Sequence, residues 1–259
     1  MKLLRRTFLG LILFSLLHSL GPMDRRAEAA WESWNNEEKP RVIVIFVDMS
    51  GSTNLARRTI YRECFDKIYQ DLKQGDRIMV GTITGRSFID FKPAVDVEIP
   101  KKSLWLNRIQ FERSLTETKE KIQQEVNRLL SLKNGTQRTE ILNSLNIADT
   151  IFHSEKREKI LVLLSDMIQD SREYDFSSTK ITNDYINKVI TYRQKKNLIP
   201  DLSGVKVYVA GASGSDSHKY RTIEKFWSRY FQIAGADYSH HRYGHTLISF
   251  EKIVGEKAR

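Results

Sequence analysis

Six consecutive apolar residues, Val42-Ile-Val-Ile-Phe-Val47, constrain this chain more than any other stretch. A run so uniformly apolar and β-branched leaves no polar face for water. It predicts a strand covered on both sides, as in a parallel sheet between layers of helices. The run stops at Asp48, hydroxyls follow at Ser50 and Ser52, and Gly51 between them permits a tight turn. Open α/β sheets place their ligands outside the carboxyl ends of central strands. One carboxylate and two hydroxyls there suit a hard cation such as Mg²⁺, which takes oxygen ligands. Asp and Ser are also ordinary cap and turn formers, so these three residues read alone also describe a helix-capping turn.

The segment before this strand reads as an export leader and is set apart from the fold. Lys2, Arg5 and Arg6 make a basic start, Phe8 to Leu20 is an apolar run, and Ala27-Glu28-Ala29 is a small-x-small cleavage site. The expected boundaries are a signal peptide over 1–29, cut before Ala30, and a linker over 30–40 ending at Pro40. The apolar run is shorter than the roughly 20 residues that span a bilayer. An uncleaved leader that holds the protein to a membrane is the competing reading. Arg5-Arg6-Thr7-Phe8-Leu9 resembles the twin-arginine export motif, although Leu4 and Gly10 depart from its usual flanks. Paired arginines also occur in general secretory signals, and both routes stay open. Either implies a bacterial periplasmic or otherwise exported protein.

The full chain has 42 basic and 32 acidic residues, and removing residues 1–30 leaves 37 against 30. Such a surface can face anionic lipid, acidic proteins or nucleic acid. The charges are scattered and no basic run is flanked by stacking aromatics, which argues for a solvated basic surface and against nucleic acid as partner. Cys64 is the single cysteine, so neither an internal disulfide nor a cysteine-based metal site can form.

Periodicity along the mature chain predicts alternating elements. Helical spacing covers 53–73, with Ala56, Ile60, Cys64, Ile68 and Leu72 on one face, then 108–132, a stretch starting near Thr139, 181–196 and 221–234. Strands are expected at 77–84, 159–166 and 205–211, with an edge hairpin from 87–92 and 95–99 and a last strand at 246–250. The pattern implies an α/β domain over 41–252: a mostly parallel central sheet, Rossmann-like, flanked by helices on both faces. Residues 253–259 read as a polar tail.

Oxygen donors thus follow several of these elements: Asp48, Ser50 and Ser52, then Thr139, then Asp166 after Leu-Leu-Ser. In this order the set resembles a von Willebrand factor A-type domain with a metal-ion-dependent adhesion site, over about residues 41–250. The resemblance implies that Asp48, Ser50, Ser52, a threonine and Asp166 hold one divalent cation, Mg²⁺ with Mn²⁺ or Ca²⁺ as alternatives. Thr136 and Thr139 are both candidates. Thr139-Glu-Ile-Leu-Asn-Ser-Leu145 fits the family's spacing, which selects Thr139. Met167 stands where the family commonly has Gly. In the family the hydroxyls bind directly and a carboxylate acts through water, so the cation stays short of negative charge and accepts an acidic side chain from a partner. The function implied is capture of an acidic residue of another exported protein, with no catalytic residue.

Other groups carry less. His240, His241 and His245 surround Arg242-Tyr-Gly and read as a polar loop leading into the last strand. Gly211-Ala-Ser-Gly-Ser215 is a strand-to-helix turn without the lysine of a phosphate loop. Phe226, Trp227, Tyr230 and Phe231 read as core. A Mg²⁺-dependent phosphoester hydrolase using Asp48 or Ser50 is a different class of function. So is an accessory nucleic-acid binder of a transfer apparatus, which rests on charge alone.

Overall fold

The apolar run forms β1 (Arg41–Asp48), and all eight of its residues are buried. It lies at the middle of a six-stranded sheet of order β3-β2-β1-β4-β5-β6. The other strands are β2 (Arg77–Ile83), β3 (Val95–Glu98), β4 (Glu158–Leu164), β5 (Val205–Ala210) and β6 (Asp237–Gly244). Every pairing is parallel except that of β2 with β3. This order is the Rossmann-like, doubly wound one, and its switch point lies between β1 and β4. The fold is therefore the von Willebrand factor A-like α/β arrangement expected from the sequence. The computed structural model describes residues 39–51, 53–86, 89, 91–102, 107–132, 137–247 and 250. Residues 40–259 make up one unit, to which all these elements belong.

Alternation along β1 divides the core in two. Val42, Val44 and Phe46 face α3 (Ile141–Phe152), α4 (Asn183–Lys195) and α5 (Ser217–Ile233). Ile43, Ile45 and Val47 face α1 (Leu55–Gln70) and α2 (Arg108–Ser131), with Cys64 buried on that side. Helix starts follow capping chemistry: the side chains of Asn54, Asn107, Thr182 and Asp216 accept bonds from first-turn amides of α1, α2, α4 and α5. Phe226, Trp227, Tyr230 and Phe231 are wholly buried, as expected of core.

Two expectations are corrected. The sixth strand is Asp237–Gly244, whereas the described residues near the chain's end, Thr246, Leu247 and Phe250, are not in a strand. His240 and His241 therefore belong to β6 and His245 follows it; they do not form a loop before it. As an edge strand β6 is only partly buried and carries polar side chains, so its alternation never registers as apolar periodicity. At the opposite edge, β3 pairs antiparallel with β2. Residues 87, 88 and 90 lie outside the described set, as do 1–38 and 251–259, which contain the leader and the tail. Among the described residues no helix is long and apolar enough to cross a membrane.

A buried ion network secures the start of β1. Asp76 accepts from the Arg41 amide at 2.8 Å, from Arg41 Nε at 3.1 Å and Nη2 at 2.5 Å, and from the Lys73 amide at 2.9 Å. Arg41 also binds Asp71 through Nη1 at 2.6 Å. Both Arg41 and Asp76 are almost wholly buried. Removing one partner of such a pair strands the other charge, so Asp76→Ala should cost about 3–5 kcal/mol in urea unfolding. The double variant Arg41→Met/Asp76→Leu should cost clearly less, because no charge is left unpaired.

Candidate metal centre

Strand register brings two loops together at the switch point. Val47 is level with Leu164, which sets Asp48 beside Ser165, and the Ser165 hydroxyl donates to Asp48 Oδ2 at 2.8 Å. The other oxygen, Oδ1, accepts from the Ser50 amide at 2.9 Å. The turn after β1 is tied back by Thr53, whose hydroxyl donates to the Asp48 carbonyl at 3.0 Å and whose amide donates to the Ser50 carbonyl at 2.9 Å. Asp48 and Ser50 are both buried. Ser52 lies outside the described residues.

Asp166 follows β4 and is buried too. Its Oδ1 accepts from the Ile168 amide at 2.9 Å, and its Oδ2 binds Arg57 Nη1 at 2.8 Å. Arg57 comes from the first turns of α1 and also reaches Ser213 Oγ at 3.1 Å. The Ser213 amide in turn donates to the Asp166 carbonyl at 3.2 Å. The glycine-containing turn after β5 thus packs against the site, where Gly211 has φ +94°. A Cβ there would stand 2.6 Å from Tyr61 Cε1 and 3.1 Å from the Ser165 carbonyl oxygen, so only glycine fits.

Met167 occupies the position where the resembling family commonly has Gly, and it takes the left-handed conformation at φ 64°. That conformation costs a side-chain-bearing residue about 1–2 kcal/mol. Burying a methionine returns about 1.5–3 kcal/mol, and Met167 is 0% exposed. Its amide donates to Ser165 Oγ at 3.0 Å, and its carbonyl accepts from Trp227 Nε1 at 2.8 Å. Packing and two hydrogen bonds hold the turn that glycine would otherwise make.

Thr139 is buried on the same edge of the sheet, in a backbone bridge to Asp170 with N···O distances of 2.8 and 3.0 Å. The neighbouring Glu140 amide donates to the Thr84 carbonyl just beyond β2. Thr139 is not the cap of α3: Glu140 holds the N-cap position without a side-chain bond, and Gln169 Oε1 accepts from the Leu142 amide at 3.0 Å. Thr136 lies outside the described residues. Of the five expected site residues, Asp48, Ser50, Thr139 and Asp166 sit at the carboxyl ends of the strands or in the loops beyond them.

The electrostatics are those of an under-compensated carboxylate pair. Burial, and after it the charge of Asp166, push Asp48 up to about 6, against the hydrogen bonds from Ser50 and Ser165. Tyr61 is wholly buried near both carboxylates. Burial first and then the charges of Asp48 and Asp166 raise its phenol, and its oxygen has no hydrogen-bond partner among the described residues. Two carboxylates with hydroxyls beside them are oxygen ligands of the kind that hard divalent cations take, and the Arg57 guanidinium shares one of them. Among the described residues, no group of three or more His, Cys, Asp or Glu side chains is placed to hold a metal. His240 instead pairs with Glu224 at 2.9 Å.

No family model matches the chain, and no curated protein matches it. Solved structures similar to it include the pilus adhesin SpaC of Lactobacillus rhamnosus GG in its open conformation, at 13% identity and TM-score 0.44 over 75% of this chain. A von Willebrand factor type A protein of Catenulispora acidiphila shows 14% identity and TM-score 0.39 over 76%. Manganese-loaded TRAP of Plasmodium vivax shows 13% identity and TM-score 0.40 over 80%. The chain spans 27%, 42% and 68% of those proteins respectively. At these values the fold assignment rests on strand order and register.

The raised Asp48 has a stability signature in chelator. Its folded value, about 6, lies above the ordinary 3.8, so between those values the native state holds a proton that the unfolded chain releases. Stability should therefore fall as pH rises from about 4 to about 6 and stay lower above that. Asp48→Asn keeps the acceptor for the Ser50 amide and removes the charge. It should raise unfolding stability at pH 7 by about 1–3 kcal/mol and flatten this pH dependence, as read by thermal melts in chelator.

Proposed function

We propose that this chain is an exported binding module in which Asp48, Ser50, Ser52, Thr139 and Asp166 hold one divalent cation, Mg²⁺ in the first place and Mn²⁺ or Ca²⁺ otherwise. The observation that carries this reading is the meeting of Asp48 and Asp166 at the switch point, where the sheet offers a ligand crevice. Asp48 supplies the charge nearest the strand end, and Ser165 and the Ser50 amide orient it. Ser50, Ser52 and Thr139 offer neutral oxygens. Arg57 takes up part of the charge of Asp166. Bound there, a divalent cation supplies an electron-poor open position that a carboxylate from a partner can fill. The basic, apolar and small-residue leader over 1–29 motivates export to a bacterial periplasm, and an acidic residue of another exported protein is the ligand proposed.

Titration calorimetry should detect Mg²⁺ binding to the wild type and none to Asp48→Ala. Mg²⁺ should raise the thermal midpoint of the wild type by mass action. Thr139→Ala should weaken binding more than Thr136→Ala. Equal affinity in wild type and Asp48→Ala would falsify the site. N-terminal sequencing of protein purified from cells should find a mature chain starting near Ala30, and a chain still starting at Met1 in the cytosol would exclude export.

A further inference from the structure

Beside Thr139 the surface opens into a groove of about 900 Å³. Three arginines line it, each from a different loop at the carboxyl edge of the sheet: Arg86 after β2, Arg138 before α3 and Arg172 after β4. The groove adjoins the candidate site through the backbone. Arg138 directly precedes Thr139, and Arg172 lies two residues beyond Asp170, whose backbone pairs with Thr139. A Cβ on Gly85 would stand 3.0 Å from Arg138 Cβ, so the loop after β2 packs onto the same wall.

Two carboxylates share the lining, Glu140 and Asp149. Both have work inside the fold: Glu140 Oε2 accepts from Asn143 Nδ2 at 2.9 Å, and Asp149 Oδ2 accepts from the Asp201 amide at 3.1 Å. Arg172 is exposed, and no hydrogen bond or ion pair of its side chain is found among the described residues. The groove also has an apolar component, since Ile89 is 73% exposed on its lining and Leu198 is 37% exposed.

We infer that this groove is a second recognition surface, which takes an acidic peptide segment of the protein whose carboxylate occupies the cation. The inference rests on the cation-capture reading and specifies its partner: further Asp or Glu side chains next to the captured one, with an apolar residue against Ile89. Guanidinium groups offer planar forks that match carboxylates, and the excess of positive charge steers an acidic segment toward the site. A nucleic acid fits the lining less well. Single strands use aromatic stacking platforms beside their cations, and among the described residues this lining has no aromatic side chain.

The test uses a fluorescein-labelled oligo-glutamate peptide, with oligo-glutamine as control, read by anisotropy on the mature protein in Mg²⁺. Wild type should bind oligo-glutamate and not oligo-glutamine. Arg138→Glu/Arg172→Glu should weaken binding by about tenfold or more, equivalent to about 1.4 kcal/mol, and reduce its salt dependence. Mg²⁺ should still bind in calorimetry, and in the neutral pair described next its affinity should stay close to that of the wild type. The neutral pair Arg138→Gln/Arg172→Gln, with a smaller loss in the same direction, guards against misfolding of the charge-reversed protein. Wild-type affinity in both double variants, or no peptide binding by wild type, would overturn the groove while leaving the cation reading to stand on calorimetry. Peptide binding that depends on the arginines but persists in Asp48→Ala and in chelator keeps the groove and removes its link to the cation. A single-stranded oligonucleotide that binds more tightly than the peptide through the same arginines would overturn the assignment to an acidic protein.

Discussion

Two carboxylates buried at adjoining strand ends create the electrostatic problem around which this edge of the molecule is built. Like charges this close in a low-dielectric setting raise one another's proton affinity, and burial raises it further. The chain meets the charge of Asp48 with hydrogen bonds from Ser50 and Ser165, and the partners of Asp166 include the Ile168 amide and the Arg57 guanidinium. The opposite end of β1 makes an instructive contrast. There Arg41 and Asp76 are equally buried, but each charge faces its opposite across several hydrogen bonds. One strand therefore begins in a neutralised network and ends in a negative excess. The first is what stability selects. The second is what a site for a cationic ligand requires.

The rigidity of that negative end comes from the core behind it. Trp227 binds the Met167 carbonyl from α5, and its ring packs edge-on against Phe226 at 5.0 Å and tilted against Phe176 at 6.1 Å. Phe176 belongs to the same loop excursion as Asp166, and its amide donates to the Gln169 carbonyl at 2.8 Å. The loop after β4 is thus stapled to the aromatic cluster on one side and to the start of α3, through Gln169, on the other. Displacing Asp166 would mean disturbing packed aromatic rings, which protein interiors resist.

How much of this was legible in the sequence depends on where each residue's partners lie. The runs in β1, β2, β4 and β5 announce themselves because both faces are buried and local composition records it. β6 was illegible, since an edge strand with polar side chains looks like a loop, and its pairing to β5 is a property of the sheet. That Asp48 and Asp166 fall at the ends of strands was legible from where the apolar runs stop, whereas Thr139 was singled out by the spacing of the resembling family. Arg57, Ser165 and Gln169 were not. Arg57 reaches a residue 109 positions away, and Ser165 becomes a partner of Asp48 only through the register of β1 with β4. No periodicity carries a register. Met167 shows the converse case, in which a residue that reads as wrong for a turn is accommodated because tertiary burial outweighs the backbone cost.

Arg57 bears most directly on how such a site behaves. Its guanidinium, 18% exposed, binds Asp166 at 2.8 Å and leaves Asp48 without an ionic partner of comparable closeness among the described contacts. A cation entering the proposed site would therefore draw chiefly on the charge of Asp48, with Asp166 already shared. That division lowers the negative charge available to the cation and so lowers its affinity. By the same step it leaves a bound cation more in need of an external anion. A carboxylate arriving from the proposed partner would then supply what Arg57 withholds. Under the proposed function, affinity for the metal and affinity for an acidic partner would thus be set against each other by this one ion pair.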